Sequence, residues 1–234
     1  MQVESSNSPS IKGISSMATR QVLAELTGAY TQRSGVAVAI ESVGGVDAAK
    51  RVQAGEHFDV VILGSDAIDK LIAAGHLLPG RIDLVRSGVA VAVQAGLPQP
   101  DLSSEEAVKQ AVRSARSVSY STGPSGVALA RLFERWGIAD EIQARLITPP
   151  PGIPVGQLVA SGAVELGFQQ LSELLHVAGI SIVGPLPEAI QITTIFSAGI
   201  GAHSAQPQAV RALLDDMTSP AATAAKQRQG MDAA

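Results

Sequence analysis

Three short apolar stretches constrain this chain more than anything else in it: VAVAI at residues 36–40, FDVVIL at 58–63 and GVAVAV at 88–93. Each is rich in β-branched residues and lacks the polar alternation of a strand with one wet face. Each therefore reads as a strand covered on both sides, the mark of a parallel sheet. Parallel neighbours need long crossovers, and the sequence supplies helices in the intervals. The first spans residues 17–33, with Val22, Leu23, Leu26, Ala29 and Tyr30 on one face. Ser15-Ser16 opens it and Ser34-Gly35 closes it. Helices at 46–54 and 66–74 follow, ended by Gly55 and Gly75, the second capped by Asp66. The class is α/β.

Two prolines and a glycine interrupt the pattern at residues 97–101, and a second α/β series begins. Ser103 and Glu106 have capping-box spacing. Strands are expected at 117–120, 145–148 and 164–168, with helices at 125–136, 155–160 and 171–175. Two more β-type runs, 190–196 and 199–202, precede helices at 207–217 and 220–229, the last entered through Ser219-Pro220. The simplest assembly is two α/β lobes joined by two crossovers. One lobe takes residues 1–86 and 190–234, the other takes residues 87–189, and a ligand cleft is expected between them.

Ligands of open α/β sheets sit beyond the carboxyl ends of the strands. The loops expected there, 13–17, 42–46, 64–66, 120–126, 148–155 and 169–170, hold serine, threonine, glycine and glutamine, with Asp66 as their one carboxylate. Tyr120-Ser121-Thr122-Gly123-Pro124-Ser125-Gly126 joins a strand to a helix through hydroxyls and glycines without a charge. Ser15-Ser16 and Ser42-Val43-Gly44-Gly45 have the same character. Helix N-termini present unsatisfied N–H groups and about half a positive charge, so such turns hold an anion without lysine or arginine. The chain reads as a binder of a small anionic metabolite.

Other chemistries find no support in the residues. A net charge of −4 with no basic run leaves no footprint for nucleic acid. The absence of cysteine removes thiol nucleophiles and thiolate metal sites. His57, His76, His176 and His203 are scattered without ligand spacing, so no metal site is expected. MQVESSNSPS has neither a charged n-region nor an apolar h-region, and no apolar run reaches bilayer length. The expectation is a cytoplasmic protein, or a periplasmic one whose signal peptide has been removed.

GISSMATRQVL, ESVGG, FDVVILGSDAIDKL, STGPSG and the ending LLDDMTSPAATAAKQRQGM, in that order, resemble the molybdate-binding branch of the type II periplasmic solute-binding proteins, from about residue 11 to 231. The resemblance implies a two-lobed clamshell that closes on an oxyanion. It carries over Ser15 or Ser16, Gly44-Gly45, the loop from Pro150 through Gly152 to Val155, and Gln169-Gln170 as ligand contacts. Val43-Gly44-Gly45 stands where molybdate receptors usually supply a serine, and Gln169-Gln170 where they have a tyrosine region. SSMATR, ESVGGVDAAKRV, STGPSG and GFQQLSEL are more similar to the branch of the superfamily that acts as aconitate isomerase. That branch implies a 1,3-allylic proton shift needing three carboxylate sockets and one proton carrier, with no metal, nucleotide or flavin.

Several residues have two readings. Ser15 and Ser16 serve as caps or as ligand donors, and Ser121, Thr122, Ser125 and Gly126 form the corresponding donor turn of the second lobe. Arg20 is either a carboxylate clamp or a solvated helix residue. Tyr120 is a core residue or an acid, and Glu41 a loop carboxylate or, if desolvated, a general base. The rival to the isomerase is the substrate-binding component of a transporter, which delivers an oxyanion such as molybdate, or a carboxylate, to a membrane permease.

Overall fold

The structure, a computed structural model, describes residues 10–150 and 152–234. In chain order the elements are β1 (Ser10–Ser16), α1 (Arg20–Ser34), β2 (Ala37–Val43), α2 (Gly45–Gln53), β3 (Val60–Gly64), α3 (Ser65–Ala73) and β4 (Ile82–Gln94). They continue as α4 (Glu105–Ser114), β5 (Val118–Tyr120), α5 (Pro124–Arg135), α6 (Ala139–Ile142), α7 (Val155–Ala160), β6 (Leu166–Gln170), α8 (Leu171–Leu174) and β7 (Ile180–Pro185). The last are β8 (Thr193–Ile200), α9 (Pro207–Thr218), α10 (Thr223–Arg228) and β9 (Asp232–Ala233). The class is α/β, as the alternation of apolar runs and amphipathic helices requires. The N-terminal reading above falls largely on residues 1–9, which lie outside the described residues.

The chain forms two compact units. The first comprises the residues up to Val85 with Phe196–Arg228 and Ala233–Ala234, and the second Arg86–Ile195 with Gln229–Asp232. In the first unit the strand order is β2-β1-β3-β8. β1 runs parallel to both β2 and β3, with Ser15 opposite Ser42 and Ile62, while β8 is antiparallel to β3. On one face Ile14, Val61 and Leu63 pack with Ala48, Val52, Ile68 and Leu71 of α2 and α3. α1 packs against α9 and α10. Gly35, Gly55 and Gly75, which end the helices, have φ of 73°, 87° and 79°, the left-handed conformation that frees a helix end from its last turn. Lys226 of α10 is 2% exposed and donates to the Leu84 carbonyl at 2.8 Å, and burial lowers its pKa from the ordinary value.

In the second unit β4 lies antiparallel to β6 on one side and β7 on the other, and β5 pairs parallel with β6, Tyr120 opposite Phe168. Phe133 of α5 stacks edge-on against Phe168 at 5.9 Å within a core that includes Val89, Val91 and Leu129. Val155 and Val159 of α7 cover the opposite face with Ala90 and Ala92.

Several local readings are corrected: the run at 36–40 is the edge strand β2, with Ala37 and Ala39 exposed rather than covered on both sides, and the run at 88–93, in β4, is antiparallel to both β6 and β7. β1 is a strand that sequence patterning passes over, because Lys12, Gly13 and the two serines break its apolar run. Ser15-Ser16 therefore ends a strand and precedes a short 3-10 turn, and Ser16 makes no side-chain cap bond. Residues 145–148 form no strand: a 3-10 turn ends at Arg145, and Leu146 makes one parallel bridge to Val118. β7 is an additional strand, and the two runs between 190 and 202 are a single strand, β8. The α4 cap is Ser104, not Ser103, its side chain accepting from Ala107 N–H at 3.1 Å. α3 begins at Ser65 behind Gly64, so Asp66 sits in the first turn and complements the helix dipole rather than capping it.

Candidate functional site

Strand directions decide where the polar turns go. In the second unit β5 and β6 are parallel, and the Leu146 bridge to Val118 on the far side of β5 is parallel too. The segments leaving these three at their carboxyl ends, 121–126, 148–150 and 171–173, therefore share one edge of the sheet. At that edge Ser125 is buried, and its Oγ lies 3.0 Å from Ser121 Oγ. The first bond of the α5 ladder runs from Val127 N–H to the Gly123 carbonyl, so the N–H groups of Ser125 and Gly126 precede the ladder. No acidic residue occupies the first turn of α5, which leaves its positive end uncompensated by a side chain. Gly126 is there for space: a Cβ on it would lie 1.5 Å from the Ser121 carbonyl oxygen. Thr122 is exposed.

Tyr120 is partly buried and packs edge-on against Phe133 at 5.8 Å. Burial, and then the charge of Glu134, raise its pKa above the ordinary phenol value, so it remains a protonated donor. In the 148–155 segment Pro150 has no N–H, and its carbonyl accepts from Ile153 N–H at 3.0 Å. Gly152 is exposed with φ of 77°. Pro150 and Gly152 thus shape the turn, and Pro150 donates nothing.

The two glutamines expected to meet ligand are both buried, at 3% exposure, and spend their amides inside the unit. Gln170 meets Thr194 Oγ1 at 2.8 Å. Turned so that its oxygen faces that hydroxyl, its nitrogen donates to Ser87 Oγ at 3.0 Å and reaches the Ser87 and Gly88 carbonyls. Gln169 Oε1 accepts from Gly156 N–H at 3.0 Å, and its Nε2 donates to Glu173 Oε1 at 2.9 Å. Glu173, on α8, is the residue that sequence reasoning missed. It is partly buried, and desolvation, opposed by the Gln169 bond, pushes its carboxyl up to about 7. A glutamate three residues past an expected contact carries no sequence signal of burial.

In the first unit Ser16, Val43 and Gly64 end parallel or neighbouring strands at one edge. Ser15 is fully buried, its Oγ 2.8 Å from Ser42 Oγ. Ser16 is the more accessible, and its Oγ lies 3.5 Å from where a Cβ on Gly45 would be, so Gly45 keeps open a cradle in front of that hydroxyl. Gly44 is the N-cap of α2, and the first ladder bond runs from Ala48 N–H to its carbonyl. Unlike α5, α2 and α3 carry acids in their first turns, Asp47 and Asp66.

Two expected roles fare differently. Arg51 grips both Glu41 oxygens, at 2.7 and 2.9 Å, and that hydrogen bonding holds the carboxyl below the usual range. Glu41 is half exposed and lies within β2, so it is neither desolvated nor poised as a base. Arg20 is exposed and lines a flank groove of about 880 Å³ between α1 and β2, with Thr27, Thr31 and Ser42. His57 and His203 stack edge to face at 5.3 Å, and among the described residues no group of three or more His, Asp or Glu is placed to hold a metal ion. Among the described residues no helix is long and apolar enough to cross a membrane.

An aconitate isomerase from Pseudomonas sp is 41% identical over 216 residues, covering 88% of this chain and 81% of that protein. The periplasmic molybdate-binding protein of Azotobacter vinelandii matches with a TM-score of 0.78 at 23% identity, over 94% of this chain and 98% of that one. The sulfate-binding protein SubI of Mycobacterium tuberculosis H37Rv matches with a TM-score of 0.77 at 15% identity, over 95% and 86%. At such identities these two structures speak for the fold, which is that of the periplasmic binding proteins. Residues 11–232 match the bacterial extracellular solute-binding proteins, and the chain belongs to that family.

Proposed function

We propose that the protein is an isomerase that interconverts trans- and cis-aconitate. The observation that carries this is the 41% identity to the Pseudomonas aconitate isomerase across most of both chains. The reaction breaks one C–H bond at the methylene carbon, moves the double bond by one carbon and forms one C–H bond at the former vinyl carbon. Atoms and electrons balance without a redox partner or group carrier. Its difficulty lies in the carbanion between these steps, whose charge spreads into the adjoining carboxylates. Preorganised donors aimed at that charge lower the barrier. The edge of the second unit has this composition: the hydroxyls of Ser121 and Ser125 and the N–H groups of Ser125 and Gly126, at a helix end with no acid in its first turn.

The expected result is that purified protein converts trans-aconitate to the cis isomer with no cofactor added, followed by proton NMR. An unchanged spectrum after prolonged incubation refutes the proposal. The second reading, a receptor for a small oxyanion, is favoured by the structural neighbours that bind molybdate and sulfate. Calorimetric titration with molybdate and sulfate, showing tight binding to a protein inert toward aconitate, would establish it instead.

A further inference from the structure

The donors at the edge of the second unit account for holding carboxylates but not for moving a proton. We propose that Glu173 is the catalytic residue that removes the migrating proton and returns it, an assignment that rests on the isomerase reading.

Segments 121–126, 148–150 and 171–173 emerge at the same edge, and Glu173 is the one carboxyl among their residues. Gln169 sets its orientation. Because Gly156 N–H occupies the amide oxygen, the amide nitrogen is turned toward Glu173 and holds Oε1 at 2.9 Å. Gln169 is itself buried and clamped at both ends, so the carboxyl it holds is fixed in direction. Glu173 Oε2 has no hydrogen-bond partner among the described residues, and the side chain is partly exposed, so this oxygen is available to a ligand.

The surroundings suit a group that must both take and give. Neither β6 nor α7 carries a charged side chain, and His176, three residues on, is engaged with Gln229 at 2.7 Å. Desolvation pushes the carboxyl up to about 7, where base and acid forms are both populated near neutrality. In the step, Glu173 carboxylate takes a proton from the methylene carbon and becomes the carboxylic acid. The freed electron pair spreads over the three-carbon unit, the far carbon takes the proton back from Glu173, and the double bond ends one carbon over. Nothing is consumed.

The test compares the full-length wild type with Glu173→Gln and Glu173→Asp, by NMR turnover and by calorimetric affinity for trans-aconitate. Glu173→Gln is expected to lose about 10²–10⁴-fold in kcat while its affinity stays within about threefold. Glu173→Asp, which keeps the acid, is expected to retain measurable turnover. In the wild type, kcat/KM is expected to rise with pH through about 7, and this limb is expected to vanish in the residual activity of the glutamine variant. Glu173→Gln turning over within tenfold of an active wild type overturns the role of Glu173 and leaves the isomerase reading standing. A wild type that leaves aconitate unchanged overturns both.

Discussion

Gly126 offers a quantitative check on the donor turn. A Cβ built on this residue lies 1.5 Å from the Ser121 carbonyl oxygen and 2.7 Å from its carbon, whereas real Cβ contacts keep at least 3.0 Å. In Gly126→Ala the carbonyl must therefore retreat by about 1.5 Å or more. The obstructing atoms are backbone, so no rotamer change relieves them, and retreat separates Ser121 from Ser125. Overpacking that forces a backbone shift costs about 1–3 kcal/mol, and this contact belongs at the upper end. Alanine's better helix propensity returns about 1 kcal/mol, leaving a net loss of about 2 kcal/mol. For a chain of this length that is about 4–8 °C in Tm, measured by circular dichroism. The control is Gly123→Ala in the same turn. Its Cβ meets nothing within 4 Å and its φ of −83° is open to any residue, so the change should stay within about 1 kcal/mol. Equal melting of the two variants would refute the close-approach argument.

Glu173 also predicts a pH dependence of stability. Its folded pKa is raised, so the native protein binds the extra proton between the ordinary value of 4.5 and about 7. Its contribution is fully present below 4.5 and is lost as pH rises through about 7. At about 1.4 kcal/mol per unit the ceiling is about 3 kcal/mol, and screening at the exposed edge reduces it to about 1–2 kcal/mol. Urea unfolding should therefore find Glu173→Gln more stable than wild type at pH 8 and no more stable at pH 4, with identical curves at both counting against a buried carboxyl. At the α4 cap, Ser104→Ala should cost about 1 kcal/mol and Ser103→Ala only a few tenths, since it is Ser104 that accepts from Ala107 N–H. A reversed order in thermal melts would restore the capping-box register.

The sequence exposes the α/β class because the signals for it are local. The runs around Val61 and Val91 are buried on both faces, and Gly35, Gly55 and Gly75 punctuate the helices. β1 escapes for the opposite reason. Its burial comes from β2 and β3, which no window around Lys12 and Gly13 contains, and the cost of burying Ser15 is met by Ser42, 27 residues away. The Ser121–Gly126 turn is legible from its residue types, and the structure keeps its serines together. Glu41 and Glu173 are indistinguishable as letters. Tertiary neighbours give the first an arginine and take water away from the second, and so separate a carboxyl held below its usual range from one pushed up to about 7.

The first unit is interrupted: its sheet begins with residues 10–64 but is completed by β8, whose Phe196–Ile200 segment pairs with Val60–Gly64. During synthesis, a chain that has emerged only as far as Ile195 contains nearly all of the second unit, yet leaves β3 with an open hydrogen-bonding side and Leu84 without Lys226. The part begun first is finished last. Throughout that interval its bare strand edge is a template for pairing with other chains, the condition under which a nascent protein depends on being shielded until β8 has been added.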